Sequence, residues 1–383
     1  MTVTSSGQLG LSSLLTHGLR DLDITEAERN LAIARYTGLG GSFDDHWSST
    51  RGQNIVSPQG SFLLGTVVRN VHRDEGIDID LVAMRDIARS STTQEALKAD
   101  AGVAVSNYQQ SPGSGTPALS ECSRCFTLTW AEMHLDVLPA IPNGNRPEGG
   151  ILITDKDVVS WLPSDPNGYA TWFRERMLEQ LDAERVILAK EMQLDEVPEW
   201  RVKTSLQRAV QALKRHRDVF FTGRDDRTAS IVITTLAAHA YQGGSDVYEV
   251  SRYLISQMGN FLRRVDGRWT LPNPVQSGED FTDSWTANPG RAAAFFEWLE
   301  SAQQTFDQLG KNSGLDASVP FLGEVFGDRF AKAAGGGLGA AMYGARQTGS
   351  LRSVNGGLLI AGASAAAGSR QVKKHVFAGG SAD

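Results

Sequence analysis

Cysteine is scarce in this chain: Cys122 and Cys125, spaced C-x-x-C, are the two found in 383 residues. A structural zinc site needs four ligands, and no second Cys/His pair stands at finger spacing. A redox C-x-x-C opens a helix after a strand, whereas this pair precedes the strand-like FTLTW. The two are therefore read as reduced thiols of a cytosolic protein. Long hydrophobic runs are also missing. The most membrane-like stretch, GGLLIAGASAAAG from Gly356, is too short and too rich in glycine to span a bilayer. The opening residues MTVTSSGQLGLSSLL lack a basic region followed by an apolar run, so neither a signal peptide nor a membrane partner is expected. Positive charge is not in excess: 37 Lys and Arg against 44 Asp and Glu give a net charge of −7. No global field then draws in nucleic acid, although a local basic cleft stays open. What is present, 40% hydrophobic and 8% aromatic residues, describes an ordinary soluble protein long enough for two or three lobes.

Thr25-Glu26-Ala27-Glu28 reads as a capping box that opens a helix. From Ile55 the texture changes. Gly60-Ser61 is a turn, and IDIDLVAM, Ile77 to Met84, reads as a strand. CFTLTWAEMHLDVLPAI, from Cys125, reads as a strand pair ending at Pro139, and a helix opens near Pro166. The second half is largely helical. In WRVKTSLQRAVQALKRHRDVFF, Val202, Leu206, Ala209, Val210 and Leu213 form one stripe, while Lys203 and Lys214 lie about three turns apart and share another face. TASIVITTLAAHAY reads as a buried helix. After Phe330 the composition turns to Gly and Ala. Such a segment buries too little surface to offset its ordering entropy, so a flexible tail is expected.

The residues that point to chemistry are acidic. Side chains two apart in a strand project to the same side, so Asp78 and Asp80 stand together while Ile77, Ile79 and Leu81 face the core. Paired carboxylates repel unless a cation sits between them. The pattern suits two Mg²⁺ ions about 3.5–4 Å apart, and a third carboxylate to complete such a site is offered by Asp136 in HLDV. Gly60 permits close backbone approach and Ser61 can donate to a phosphate oxygen. Lys214, with Lys203 or Arg217, could supply positive charge, and Ser230 could bind phosphate where its helix begins. Each feature has a plainer reading: a solvated strand edge for D-x-D, a turn for Gly-Ser, a solvated helix face for LKRHRD. His216 reads as structural or surface, and His134 and His239 as locally satisfied. The ordered set, Gly-Ser then D-x-D then a third Asp in a later strand, favours the chemistry.

That set resembles the nucleotidyltransferase core of the cGAS/DncV-like enzymes (CD-NTases). Gly60-Ser61, Gly65-Thr66, D-I-D-L from Asp78 and H-L-D-V-L-P-A-I-P from His134 carry the likeness. Ser164-Asp165-Pro166 with Tyr169 and Trp172-Phe173, the LKRHRD helix, TASIVITTL, and Asn273-Pro274 with Glu279-Asp280-Phe281 and Trp285 extend it over about residues 20–310. The resemblance implies an α+β fold: a two-lobed, polymerase-β-like core of mixed sheet with flanking helices, plus a helical C-terminal lobe. The implied divisions are a helical segment at 1–50 packing on both lobes, the core at 51–200, the helical, oligoadenylate-synthase-like lobe at 201–330, and the tail at 331–383. It implies that Asp78, Asp80 and Asp136 bind two Mg²⁺, with Mn²⁺ as an alternative. Gly60, Ser61, Lys214 and Ser230 would hold the donor triphosphate. The implied activity joins NTPs (ATP, GTP or both, with pyrimidine NTPs open) into cyclic di- or trinucleotides. These are second messengers of anti-phage CBASS systems and switch on a separate effector. One departure concerns Leu64, which stands where some relatives place a base-stacking Tyr. The HVFAGG end resembles the termini on which a ubiquitin-transfer-like enzyme acts. Two alternatives stand beside this: addition of a single nucleotide to RNA or protein, and a catalytically silent nucleotide-binding or conjugation partner.

Overall fold

The capping box at Thr25 forms as read: its hydroxyl accepts from the Glu28 N–H, and the Glu28 carboxylate accepts from the Thr25 N–H at 2.7 Å. That cap separates two helices with different partners. α1 (Ser6–Asp21) buries Leu11, Leu14, Leu15 and Leu19 in the helical half, whereas α2 (Glu26–Trp47) buries Ala32, Leu39 and Phe43 in the core of the sheet. The computed structural model describes residues 6–48, 55–71, 76–144, 150–155, 161–193, 198–311, 315–354, 357–360 and 370–372.

β1 (Val56–Pro58), the short helix α3 (Gly60–Leu64) and β2 (Ile77–Met84) follow. Next come α4 (Gln94–Gln110), β3 (Ala118–Glu121), β4 (Phe126–Thr129), β5 (Met133–Pro142), β6 (Ile151–Ile153) and β7 (Leu162–Ser164). Among the described residues these seven strands form one mixed sheet in the order β1-β2-β5-β4-β3, with β6 on β5 and β7 on β6. β2 and β5 run parallel, and the other neighbours antiparallel. Ile77, Ile79 and Leu81 of β2 and Met133, Leu135 and Val137 of β5 are buried with Ala101, Ala104 and Val105 of α4. Period-two alternation then turns the residues between them to the opposite face. β5 runs past the expected end at Pro139. β4 pairs with it as far as Val137 and β6 from Ala140, so the proline falls in the gap between two ladders, where a missing N–H is tolerated.

The helical half begins with α5 (Pro166–Glu175), capped by Asp165, which accepts from the Gly168 N–H at 2.8 Å. α6 (Leu178–Met192), α7 (Ser205–Phe220), α8 (Ser230–Ala240), α9 (Val247–Met258), α10 (Asp283–Ala287), α11 (Gly290–Lys311) and α12 (Leu315–Phe326) complete it before α13 (Asp328–Thr348). α7 buries the expected stripe, and it buries every other residue from Ser205 to Arg217 as well, which excludes a solvated face for LKRHRD. His216 is structural. The Trp298 indole donates to its Nδ1 at 3.1 Å, its Nε2 lies 3.0 Å from Thr305 Oγ1, and burial holds its pKa down at about 4.

The Gly/Ala-rich segment expected to be a flexible tail from residue 331 is instead helical through Thr348. α13 buries Phe330, Ala331, Ala334 and Leu338 in the same core as the leucines of α1. Small residues are what let α1 and α13 approach. A Cβ on Gly337 would lie 2.6 Å from His17 Nδ1, and one on Gly18 2.5 Å from the Phe330 ring. A composition poor in large side chains therefore serves close helix packing. Gly337→Val is expected to destabilise the protein by about 1–3 kcal/mol through overpacking, read as a lower urea midpoint at unchanged slope. An unchanged midpoint would restore the flexible reading. HVFAGG, at 375–380, lies outside the described residues.

Candidate active site

Register brings the acidic residues together. Parallel pairing of β2 and β5 sets Asp78 beside His134 and Asp80 beside Asp136, and antiparallel β4 adds Thr129 beside His134 and Thr127 beside Asp136. Two rows thus cross the face of the sheet opposite its buried isoleucines: Asp78–His134–Thr129 and Asp80–Asp136–Thr127. Asp78 is exposed, and Asp80 and Asp136 are partly buried. The crowding has an electrostatic consequence. Burial, then the Asp136 and Asp78 carboxylates, raise the pKa of Asp80 to about 6, against a lowering influence from Lys214.

Among the described residues, no three or more His, Cys, Asp or Glu side chains stand as a ready-made metal cage. The donor chemistry nonetheless suits a hard divalent cation, since carboxylate oxygens that repel one another are the ligands Mg²⁺ takes and its charge would relieve them. The backbone beside them is shaped for close approach. Gly60 sits at φ +58°, and a Cβ there would lie 2.3 Å from Asp80 Oδ2. The Gln59 N–H donates to the Asp80 carbonyl at 2.8 Å, which fixes the turn to β2.

The loop that follows this turn is held from the helical half by one polar row. Lys203 Nζ donates to the Gly65 carbonyl at 2.7 Å, Gln207 Nε2 to Leu64 at 3.0 Å, Lys214 Nζ to Thr66 at 2.9 Å and Gln211 Nε2 to Val67 at 2.8 Å. Lys203 and Lys214 do share a face, as their spacing predicts, although Lys203 precedes the helix. Burial lowers both amines to about 8. The two glutamines were not singled out in the sequence; their i, i+4 spacing with Lys203 is the signal that could have found them. Ser230 opens α8 and accepts from Arg217 Nη1 at 2.6 Å, and Arg217 also donates to the Thr228 carbonyl at 3.2 Å. Lys214 feels the charges of Arg217, Asp80 and Asp78, and Arg217 in turn reaches Ser230. A cavity of about 790 Å³ beside the loop is lined by Phe62, Leu63, Trp200 and Lys203, and not by Asp78, Asp80 or Asp136.

Cys122 and Cys125 are free thiols at the β3–β4 turn, where the Cys122 N–H donates to the Cys125 carbonyl at 2.9 Å. Burial, then the Asp136 carboxylate, push the Cys125 thiol up to about 12. His134 has the Thr129 hydroxyl 3.2 Å from its Nδ1, and His239 stacks on Phe261 with centroids 5.5 Å apart.

A mixed sheet thus carries three aspartates on one face, with a glycine turn against one of them and a helical half gripping the following loop, the arrangement that the sequence motifs implied. No family model matches the chain. Over 333 residues it is 25% identical to a c-di-GMP synthase of Roseivirga ehrenbergii, covering 86% of this chain and 87% of that one. In fold it is similar to the Bradyrhizobium diazoefficiens CD-NTase CdnG, solved with GTP, at a TM-score of 0.68 and 19% identity over 86% of this chain and 99% of that one. It is also similar to Vibrio cholerae DncV, a cyclic AMP-GMP synthase solved with a linear intermediate, at 0.58 and 13% over 82% and 94%. The chain thus shares the fold of the CD-NTases, the two-lobed α+β architecture that its motifs implied.

Proposed function

We propose that the protein is a template-independent nucleotidyltransferase that joins NTPs into a cyclic di- or trinucleotide and releases pyrophosphate at each bond. The observation that carries this is the row Asp80–Asp136, flanked by Asp78 and set against the Gly60 turn. Mg²⁺, or Mn²⁺, held by Asp78, Asp80 and Asp136 would neutralise phosphate charge and lower the pKa of a ribose hydroxyl when bound. The chain's own residues bind and orient. The Gly60 backbone and the Ser61 hydroxyl take the donor triphosphate. Lys214 seats the loop through Thr66 and lends positive charge, and Ser230 with Arg217 supplies polar contacts from the helical half. Clamping both reactants in one geometry replaces a bimolecular encounter by a nearly unimolecular step.

GTP is the nucleotide to try first, because one relative is named a c-di-GMP synthase and the CdnG neighbour was solved with GTP. ATP follows, since DncV is named a cyclic AMP-GMP synthase. Leu64 offers no ring on which a base could stack, so selectivity would reside elsewhere. We assign the product to anti-phage signalling through a separate effector, and the HVFAGG end to a ubiquitin-transfer-like enzyme. Among the described residues no helix is long and apolar enough to cross a membrane. Purified protein incubated with single and paired NTPs and Mg²⁺ or Mn²⁺ should yield phosphatase-resistant species with the mass of a two- or three-nucleotide ring. Label appearing on RNA or protein would replace this reading with macromolecular tagging. Binding without turnover would leave a silent nucleotide-binding module.

A further inference from the structure

Strand β4 reads F-T-L-T, and its alternation is strict: Phe126 and Leu128 are buried, and Thr127 and Thr129 face the aspartates. Neither threonine has a place in the chemistry described above. Thr127 stands directly across from Asp136 and donates from Oγ1 to Asp136 Oδ1 at 2.5 Å. On its other side Asp136 pairs with Asp80. Asp136 is therefore held by a hydroxyl from one neighbouring strand and pressed by a carboxylate from the other. The hydrogen bond engages one of the two carboxylate oxygens. Cys122 Sγ, 3.7 Å from the same Thr127 hydroxyl, backs it from the turn. Thr129 repeats the arrangement one step along, beside His134.

We propose that Thr127 is a positioning residue for Asp136: it fixes which carboxylate oxygen meets the divalent cation. This rests on the reading of Asp78, Asp80 and Asp136 as cation ligands. A β-branched residue suits the task, because Thr in a strand has few side-chain rotamers and its hydroxyl stays aimed. Hydrogen bonds that orient a ligating carboxylate are typically worth about 10–100-fold in metal affinity. Asp136 is the carboxylate that needs such a partner. It comes from a different strand than the D-x-D pair, and repulsion from Asp80 would otherwise turn it away.

The test compares Thr127→Val, which keeps the shape and loses the hydroxyl, with Thr127→Ser, which keeps the hydroxyl. Calorimetric titration of full-length protein with Mn²⁺ is expected to show binding weakened about tenfold in the valine variant and near parental in the serine variant. The Mg²⁺ concentration for half-maximal product formation should move with it, and turnover at saturating Mg²⁺ should change far less. Parental Mn²⁺ affinity in Thr127→Val, or equal loss in both variants, overturns the proposal. Should the valine variant melt early, Thr127→Ser against Thr127→Ala gives the same comparison. Asp136→Asn separates the two levels. If it leaves Mn²⁺ binding intact, the ligand reading itself fails; if it abolishes binding while Thr127→Val does not weaken it, Thr127 alone loses its role.

Discussion

Asp80→Asn is expected to abolish product formation, by at least about 10³-fold, and at the same time to stabilise the cation-free protein at pH 7.5. Both effects have one cause. Asp80 is partly buried beside two like charges, and its pKa is raised to about 6 in the folded chain. Below its ordinary value of 3.8 the carboxyl is protonated in both folded and unfolded chains and contributes no difference. As pH rises from about 4 to 6 the unfolded chain ionises first, so the folded state loses stability across that window and stays penalised above it. The penalty is about 1–3 kcal/mol, and Asn escapes it. A divalent cation should reverse the sign for the parent alone: Mg²⁺ raises its melting temperature at pH 7.5, far less at pH 5, and leaves Asp80→Asn unmoved. Melting curves at both pH values, with and without Mg²⁺, check this. A variant that is no more stable than the parent and still responds to Mg²⁺ would contradict the placement of a cation at these carboxylates.

Gly60→Ala is expected to lower turnover by about 10²-fold, the scale of a displacement of roughly 1 Å at a reacting centre. Two penalties act together. At φ +58° the backbone is left-handed, which an L side chain resists by about 1–2 kcal/mol. The added methyl would also sit 2.3 Å from Asp80 Oδ2, so either the turn or the carboxylate must move. Because the turn is tied to β2 through the Gln59–Asp80 bond, the carboxylate is the part that swings. The expected signature is a large fall in kcat with a stability loss of no more than about 1–3 kcal/mol. Turnover equal to the parent would show that Gly60 does not line the donor site.

Much of this site is legible in the chain because its signals are local. IDIDLVAM needs period-two alternation alone to put Asp78 and Asp80 on one side, and β2 spans Ile77–Met84 as read. The caps at Thr25 and Asp165 are likewise set within a single turn of backbone. Contacts between segments are a different matter. Gln207 and Gln211 look like ordinary helix residues until their amides meet the carbonyls of Leu64 and Val67. Thr127 looks like any strand threonine until β4 lies beside Asp136. LKRHRD carries charges that favour a solvated face, yet its helix is enclosed and Lys214, Arg215 and Arg217 spend their donors on neighbouring backbone and side chains.

The sequence alone determined the alternation that gathers acids on one strand face, the turns and caps that start the elements, and the candidate aspartates, because each is fixed by backbone geometry over a few residues. Only the tertiary structure decided the register that sets Asp80 against Asp136, the burial of α7, and the packing of the Gly/Ala-rich α13 on α1. Those outcomes depend on distances between segments remote in the chain, where a glycine can equally mean freedom or close contact until its neighbour is in place.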